Sequence, residues 1–181
     1  KHGYLCNNWV LALMPDSRGM VWIATSSGVQ AFDPRTASFQ PLGWHKQLEG
    51  VMCLSLCETR SGDILIGSDH GLYVYSRKTR KVAPFAGAEQ LAGKIVAYIV
   101  QDRKGDIWCA TSYGIWQWQS DKRRFVCHVR GNGLVQKEYV NCVGLHMADD
   151  RICFATSDGI VTFPTRCANA TTIPMSCSLP P

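Results

Sequence analysis

No stretch of this 181-residue sequence approaches the roughly 20 consecutive apolar residues that a membrane-crossing helix needs. No window shows apolar residues at a strong 3.6-residue spacing either; residues 89–92 give one short turn at most, so a helical fold is excluded. Charge is scarce: 18% of residues are charged, the net charge is +5, and the basic residues are scattered. The densest clusters, Arg77 to Lys81 and Lys122 to Arg124, lie between apolar runs and read as solvated turns rather than a nucleic-acid surface. There is no Gly-x-Ser-x-Gly elbow, no P-loop and no His-Glu-x-x-His motif, so the commonest hydrolase, nucleotide-binding and metalloprotease signatures are missing. No leader-peptide pattern opens the chain. It starts at Lys1 without a Met and stops at Pro181, and so reads as a piece of something longer.

The nine cysteines are an odd number and too sparse for a disulfide-dense mini-protein. Cys53, Cys57, Cys109, Cys127, Cys142 and Cys153 sit inside apolar runs, where a thiol behaves as a small buried hydrophobe. Cys53 and Cys57 have no second pair in metal-binding register, so neither a metal nor any other cofactor is expected. Cys167 and Cys177, in the polar tail, are the pair most open to oxidation. Asp16 and Asp102 begin Asp-x-x-Gly stretches without the alternating oxygen ligands of a calcium loop and read as turn residues. Asn169 begins a glycosylation sequon that would stay unmodified in a bacterial chain.

What is abundant is repetition. Residues 20–28 read Met-Val-Trp-Ile-Ala-Thr-Ser-Ser-Gly, and 63–71 read Asp-Ile-Leu-Ile-Gly-Ser-Asp-His-Gly. Residues 106–114 read Asp-Ile-Trp-Cys-Ala-Thr-Ser-Tyr-Gly, and 151–159 read Arg-Ile-Cys-Phe-Ala-Thr-Ser-Asp-Gly. The closing glycines Gly28, Gly71, Gly114 and Gly159 are 43, 43 and 45 residues apart. Each copy has a small residue (Ala24, Gly67, Ala110, Ala155), then a hydroxyl (Thr25, Ser68, Thr111, Thr156). Four residues past each glycine comes an aromatic: Phe32, Tyr75, Trp118 and Phe163. Three copies follow a four-residue turn ending in glycine (16–19, 59–62, 102–105), and the fourth shortens it to 148–150.

In the first repeat this predicts short strands at 10–14, 21–25, 29–33 and 39–42. The second strand is apolar on both sides and must therefore be covered on both sides. A 43-residue period of four antiparallel strands is that of a propeller blade, in which neighbouring sheets bury each other's faces. The fold class is therefore all-β: a β-propeller of four four-stranded antiparallel blades, at about residues 1–43, 44–87, 88–131 and 132–164, with a tail or junction at 165–181. The small residues let sheets approach, and Trp22, Trp108 and the repeated aromatics fill the wedge between them.

The form Asp-x-x-Gly-x-Val/Ile-Trp-Ile/Cys-Ala-Thr-x-x-Gly resembles the two-component regulator propeller repeat; it is closest at 16–32 and 102–118, and looser at 59–75, where Leu65 replaces Trp. Residues 132–139 and 151–164 are similar to the closing blade of such sensors. The resemblance implies part of a seven-bladed ring in the periplasmic region of a Bacteroides-type hybrid histidine kinase/response regulator, anchored in the inner membrane through its parent chain. It implies an oligosaccharide or other small ligand, a possible homodimer through the parent, and signal relay to a phosphorelay absent from this piece. No catalysis and no nucleic acid are expected of the segment.

The turns joining strands two and three share one face with the connections between blades. Asn8, Trp9, His45, Lys46, His70, Tyr113 and Asp158, with Asp69, are expected on that rim, where aromatic faces beside polar groups suit sugars. His128 and His146 lie in strand-like runs and read as structural. A protein-interaction propeller, or a lyase or hydrolase using His45 with His70, are the competing readings.

Overall fold

The computed structural model describes residues 4–40, 47–128, 144–156, 159–165 and 171–174. They form four antiparallel sheets, each a simple meander in chain order. The first sheet holds β1 (Val10–Pro15), β2 (Val21–Thr25), β3 (Gly28–Asp33) and β4 (Ser38–Phe39). The second holds β5 (Cys53–Glu58), β6 (Ile64–Ser68), β7 (Gly71–Ser76) and β8 (Lys81–Pro84). The third holds β9 (Val96–Gln101), β10 (Ile107–Thr111), β11 (Gly114–Gln119) and β12 (Arg124–His128). The fourth holds β13 (Gly144–His146), β14 (Arg151–Thr156), β15 (Gly159–Pro164) and β16 (Thr171–Pro174). Between β8 and β9 lies a single 3-10 turn, Glu89–Leu91. The first strands pack in series, β1 against β5, β5 against β9 and β9 against β13, giving a four-bladed propeller arrangement.

The recurrent hydroxyl has a clear physical task. In the second-to-third strand turn, Thr25 Oγ1 donates to the Gly28 carbonyl at 3.0 Å and accepts from the Ser27 N–H at 3.1 Å. Ser68 does the same with Gly71 and His70, and Thr111 with Gly114 and Tyr113. A buried hydroxyl thus closes each tight turn. The glycine accepts a positive φ there, from 109° to 122° in the three copies, where a Cβ would be strained.

The recurrent Asp and Trp are coupled in the same way. Asp16 Oδ1 accepts the N–H groups of Arg18 and Met20, holding the turn, while Oδ2 accepts the Trp22 indole N–H at 2.8 Å. Asp102 repeats this with Lys104, Asp106 and Trp108, the indole at 2.9 Å. One carboxylate therefore fixes both the turn and the rotamer of the ring that enters the core.

The core is the set of wedges between blades. Trp22, Ala24, Val29 and Ala31 meet Ile64, Ile66 and Tyr75, with the Trp22 and Tyr75 rings 5.1 Å apart. Leu65 and Leu72 meet Val96, Ile107, Cys109 and Phe125. Trp108, Ala110 and Ile115 meet Ile152, Phe154 and Val161. All five residues of β6 are buried, as a strand covered on both faces must be. Polar latches join successive blades: the Ser17 N–H and hydroxyl reach the Glu58 carboxylate at 2.7 Å each, and one repeat later the Arg60 N–H reaches Gln101 Oε1 at 2.8 Å. Leu13 of β1 and Leu145 of β13 stay largely exposed.

Six described cysteines are free thiols. Cys53 and Cys109 are fully buried, and Cys57, Cys127 and Cys153 partly. Burial pushes the Cys53 thiol up to about 12 and Cys57 up to about 11, so both stay protonated and unreactive near neutral pH. Cys142, Cys167 and Cys177 lie outside the described residues. The Arg77 turn departs from expectation: its guanidinium is largely buried and donates to Asp16 Oδ2 at 2.7 Å and to Glu58 Oε1 at 3.0 Å, tying two blades together. Only its sequence neighbourhood is that of a solvated turn.

Both strand histidines are structural. His146 Nε2 pairs with Asp150 at 2.8 Å. His128 stacks on Trp108, centroids 5.3 Å apart, and its Nε2 lies 3.0 Å from Gln117 Oε1, which makes that nitrogen the protonated one. Burial holds the His128 pKa below the usual histidine value. The unfolded chain then binds a proton that the folded chain resists, so stability is full above about pH 6.5 and falls as the pH drops below it. Urea midpoints measured from pH 7.5 to 5 are expected to decline, and His128→Gln is expected to flatten that decline; equal slopes for the two proteins would refute the assignment.

Candidate functional site

The second-to-third strand turns of the first three blades emerge at the end of the sheets where the first strands begin. Backbone bonds fix this: Ser26 N–H donates to Trp9 O, Asp69 to Met52 O and Ser112 to Ile95 O, at 3.0, 3.0 and 3.2 Å. Each turn is thereby tied to the residue just ahead of its own blade's first strand. Asn8 and Trp9, His70 and Tyr113 consequently lie at that one end of their sheets. Trp9 and Tyr113 are 65% and 64% exposed, which leaves their ring faces open to a ligand.

Each rim residue is held by its own blade. The Trp9 N–H donates to Asn7 Oδ1 at 2.7 Å. His70 Nδ1 lies 2.7 Å from Asp69 Oδ1, on a mostly exposed pair. The Lys94 ammonium lies 5.9 Å from the centroids of both Tyr113 and Trp116, and also donates to the Gln90 carbonyl at 2.7 Å. Among the described residues no hydrogen bond or ring contact joins Trp9, His70 and Tyr113 to one another. They are points on a rim, not a closed pocket. His45, Lys46 and Asp158 lie outside the described residues, and with His45 goes the suggested His45–His70 pair.

Two hollows open beside the rim. One, about 290 Å³, is lined by Cys6, Ser27, Gln30 and Glu49 at the first blade. The other, about 270 Å³, is lined by His70, Tyr73, Phe85 and Glu89 at the second. An apolar groove of about 390 Å³ runs along the first strands, from Leu11 and Met14 past Leu54 and Leu56 to Tyr98. Among the described residues no three His, Cys, Asp or Glu side chains converge to hold a metal.

Sequence reasoning missed Lys94, Glu49, Phe85 and Glu89. Lys94 was findable, since it stands 20 residues before Gly114, the slot Asn8 occupies before Gly28. The others lie in the connections between blades, where the repeat carries no pattern.

Fold and rim together define a propeller with an open, polar and aromatic upper face. Residues 4–27 match the family model described as the two-component regulator propeller. The extracellular domain of a putative one-component system of B. thetaiotaomicron superposes with a TM-score of 0.70 at 19% identity, over 87% of this chain and 22% of that one. The extracellular domain of a putative hybrid two-component system of the same organism gives 0.71 at 20%, over 96% and 23%. Virginiamycin B lyase of Staphylococcus aureus, solved with quinupristin, gives 0.68 at 13%, over 96% and 59%. The chain thus spans less than a quarter of the length of those two extracellular domains. No curated protein sequence matches it.

Proposed function

We propose that this chain is an extracytoplasmic ligand-sensing segment of a hybrid two-component regulator, located in the periplasm with a parent chain anchored in the inner membrane, and that it responds to an oligosaccharide. The propeller architecture is shared by sensors and lyases, so fold alone does not choose between them. The repeat sequence itself, matched at 4–27 and recurring at 102–118, supports the regulator reading. The observation that carries the ligand class is the pair of exposed aromatic rings, Trp9 and Tyr113, on a rim that also presents Asn8, His70 and Lys94. Ring faces take the C–H groups of a sugar while amide, imidazole and ammonium groups take its hydroxyls. No catalytic role is assigned to this segment.

The test is calorimetric titration of a glycan panel into the whole extracytoplasmic region of the parent, with Trp9→Ala and Tyr113→Ala variants alongside. One glycan should bind, and loss of either ring should weaken it about tenfold. Absence of binding across the panel, or affinity untouched in both variants, refutes the reading.

A further inference from the structure

At the opposite end of the sheets from the rim, a cleft of about 270 Å³ opens between the first and second blades. Its floor is formed by Trp22 and Tyr75, and its walls carry four arginines, Arg18, Arg35, Arg77 and Arg80, against one carboxylate, Asp33. Two of the four are committed. Arg35 grips Asp33 with Nε to Oδ1 at 3.1 Å and Nη2 to Oδ2 at 3.2 Å. Arg77 is held by Asp16 and Glu58. Arg18 and Arg80 are exposed, and among the described residues neither guanidinium makes an ion pair. The nearby carboxylates are thus already engaged by Arg35 and Arg77, and two guanidinium forks face the cleft as surplus positive charge.

The turns that present them are firmly built. Arg18 follows Asp16, whose carboxylate holds its backbone N–H at 2.9 Å. Arg80 sits at φ 56° in the third-to-fourth strand turn, where Ala37 and Arg123 take the same conformation in their own blades, and its N–H donates to the Ser76 carbonyl at 2.7 Å. A guanidinium is always charged and matches the two oxygens of a carboxylate or sulfate in one plane. The corresponding end of the third blade has no such surplus: its hollow is lined by Lys104 and Lys122 with Asp106 and Asp121.

We infer that the cleft between the first two blades is an oxyanion site, bound through Arg18 and Arg80, and that its ligand is a sugar carrying a carboxylate. This is independent of the rim reading, since it uses the other face of the propeller and none of the rim residues. The cleft, about 270 Å³, has room for a group of monosaccharide size.

The experiment titrates a uronic-acid disaccharide, its neutral hexose counterpart and inorganic sulfate into the chain at fixed ionic strength. It is repeated with Arg18→Gln/Arg80→Gln and with Lys104→Gln/Lys122→Gln, which removes equal charge from the matching hollow. The uronic-acid disaccharide is expected to bind, the neutral one at least tenfold more weakly, and the arginine pair to lose tenfold or more while the lysine pair changes less than twofold. Sulfate binding as tightly as the uronate would reduce the site to a bare oxyanion site and overturn the sugar assignment. Equal losses in the two double variants, equal binding of the neutral disaccharide, or no uronate binding at millimolar concentration would overturn the site itself. Unchanged urea midpoints in both double variants are the check that binding, not folding, was altered.

Discussion

Gly67→Val is expected to unfold the second and third blades together, with a loss of more than about 3 kcal/mol. A Cβ at position 67 would stand 2.3 Å from Ser55 Oγ and 2.6 Å from the Val96 carbonyl oxygen. The first is a short side chain locked into a hydrogen bond with that same carbonyl, and the second is backbone of the next blade's first strand. Neither can step aside without prising two sheets apart. Gly67→Ala already makes the clash, and Gly67→Ala with Ser55→Gly relieves only the side-chain half. The expected order of urea midpoints is wild type, then the double variant, then Gly67→Ala, with Gly67→Val lowest or insoluble. A Gly67→Ala protein as stable as wild type would show that the sheets do not approach this closely. Because each blade contacts only its neighbours, the damage should spread through the adjoining interfaces rather than remain local.

That glycine illustrates what the sequence reveals and what it hides. A position filled by Ala24, Gly67, Ala110 and Ala155 announces itself as small, and at Ala24, Gly67 and Ala110 the fold explains why, since the neighbouring sheet lies there. The hydroxyl that follows was visible as a pattern, yet its turn-closing bonds with the glycine carbonyl were not, because a pattern records which residue recurs and not which atoms meet. The Asp of each turn and the Trp six residues on were likewise visible separately, one as a turn residue and the other as core. Their hydrogen bond needs the coordinates of both. Strand limits read well where β-branched and aromatic runs end in Gly or Asp, as at Val21–Thr25. β4, expected at 39–42, is found at Ser38–Phe39, and residues 41–42 of that expectation lie outside the described residues. The candidate rim was legible in part. Asn8, Trp9, His70 and Tyr113 are placed by repeat position, which fixes the face of a propeller. Phe85 and Glu89 are placed by connections of variable length, which repeat arithmetic does not reach; Lys94 stood in the repeat slot of Asn8 and could have been read from it.

Asp16→Ala is expected to cost about 3–5 kcal/mol, and the repeat supplies its own control in Asp102→Ala, expected nearer 1–3 kcal/mol. Both aspartates hold a turn and an indole N–H, so both lose those bonds when truncated. Only Asp16 also receives Arg77, a guanidinium 12% exposed that spans from the second blade into the first. Without Asp16, Arg77 keeps Glu58 and the Gly62 carbonyl but loses its buried partner, and a buried charge left short of a counter-charge is among the costlier single defects. Arg77→Met in the Asp16→Ala background removes that charge while filling similar volume, and should recover a measurable part of the loss; a double variant no more stable than Asp16→Ala would show that the ion pair is not what distinguishes the two aspartates. The acid limb gives a second readout. Burial alone would raise the Asp16 carboxyl, but hydrogen bonds from Arg77, Trp22 and the N–H groups of Met20 and Arg18 outweigh it and hold the pKa below the usual aspartate value. A carboxylate depressed in this way stabilises the fold above its unfolded-state pKa and loses that contribution as the pH falls through the folded one. Asp16→Ala should therefore be less sensitive to acid below pH 4 than wild type, measured as the change in urea midpoint. An acid limb as steep as that of wild type would place the stabilising charge elsewhere.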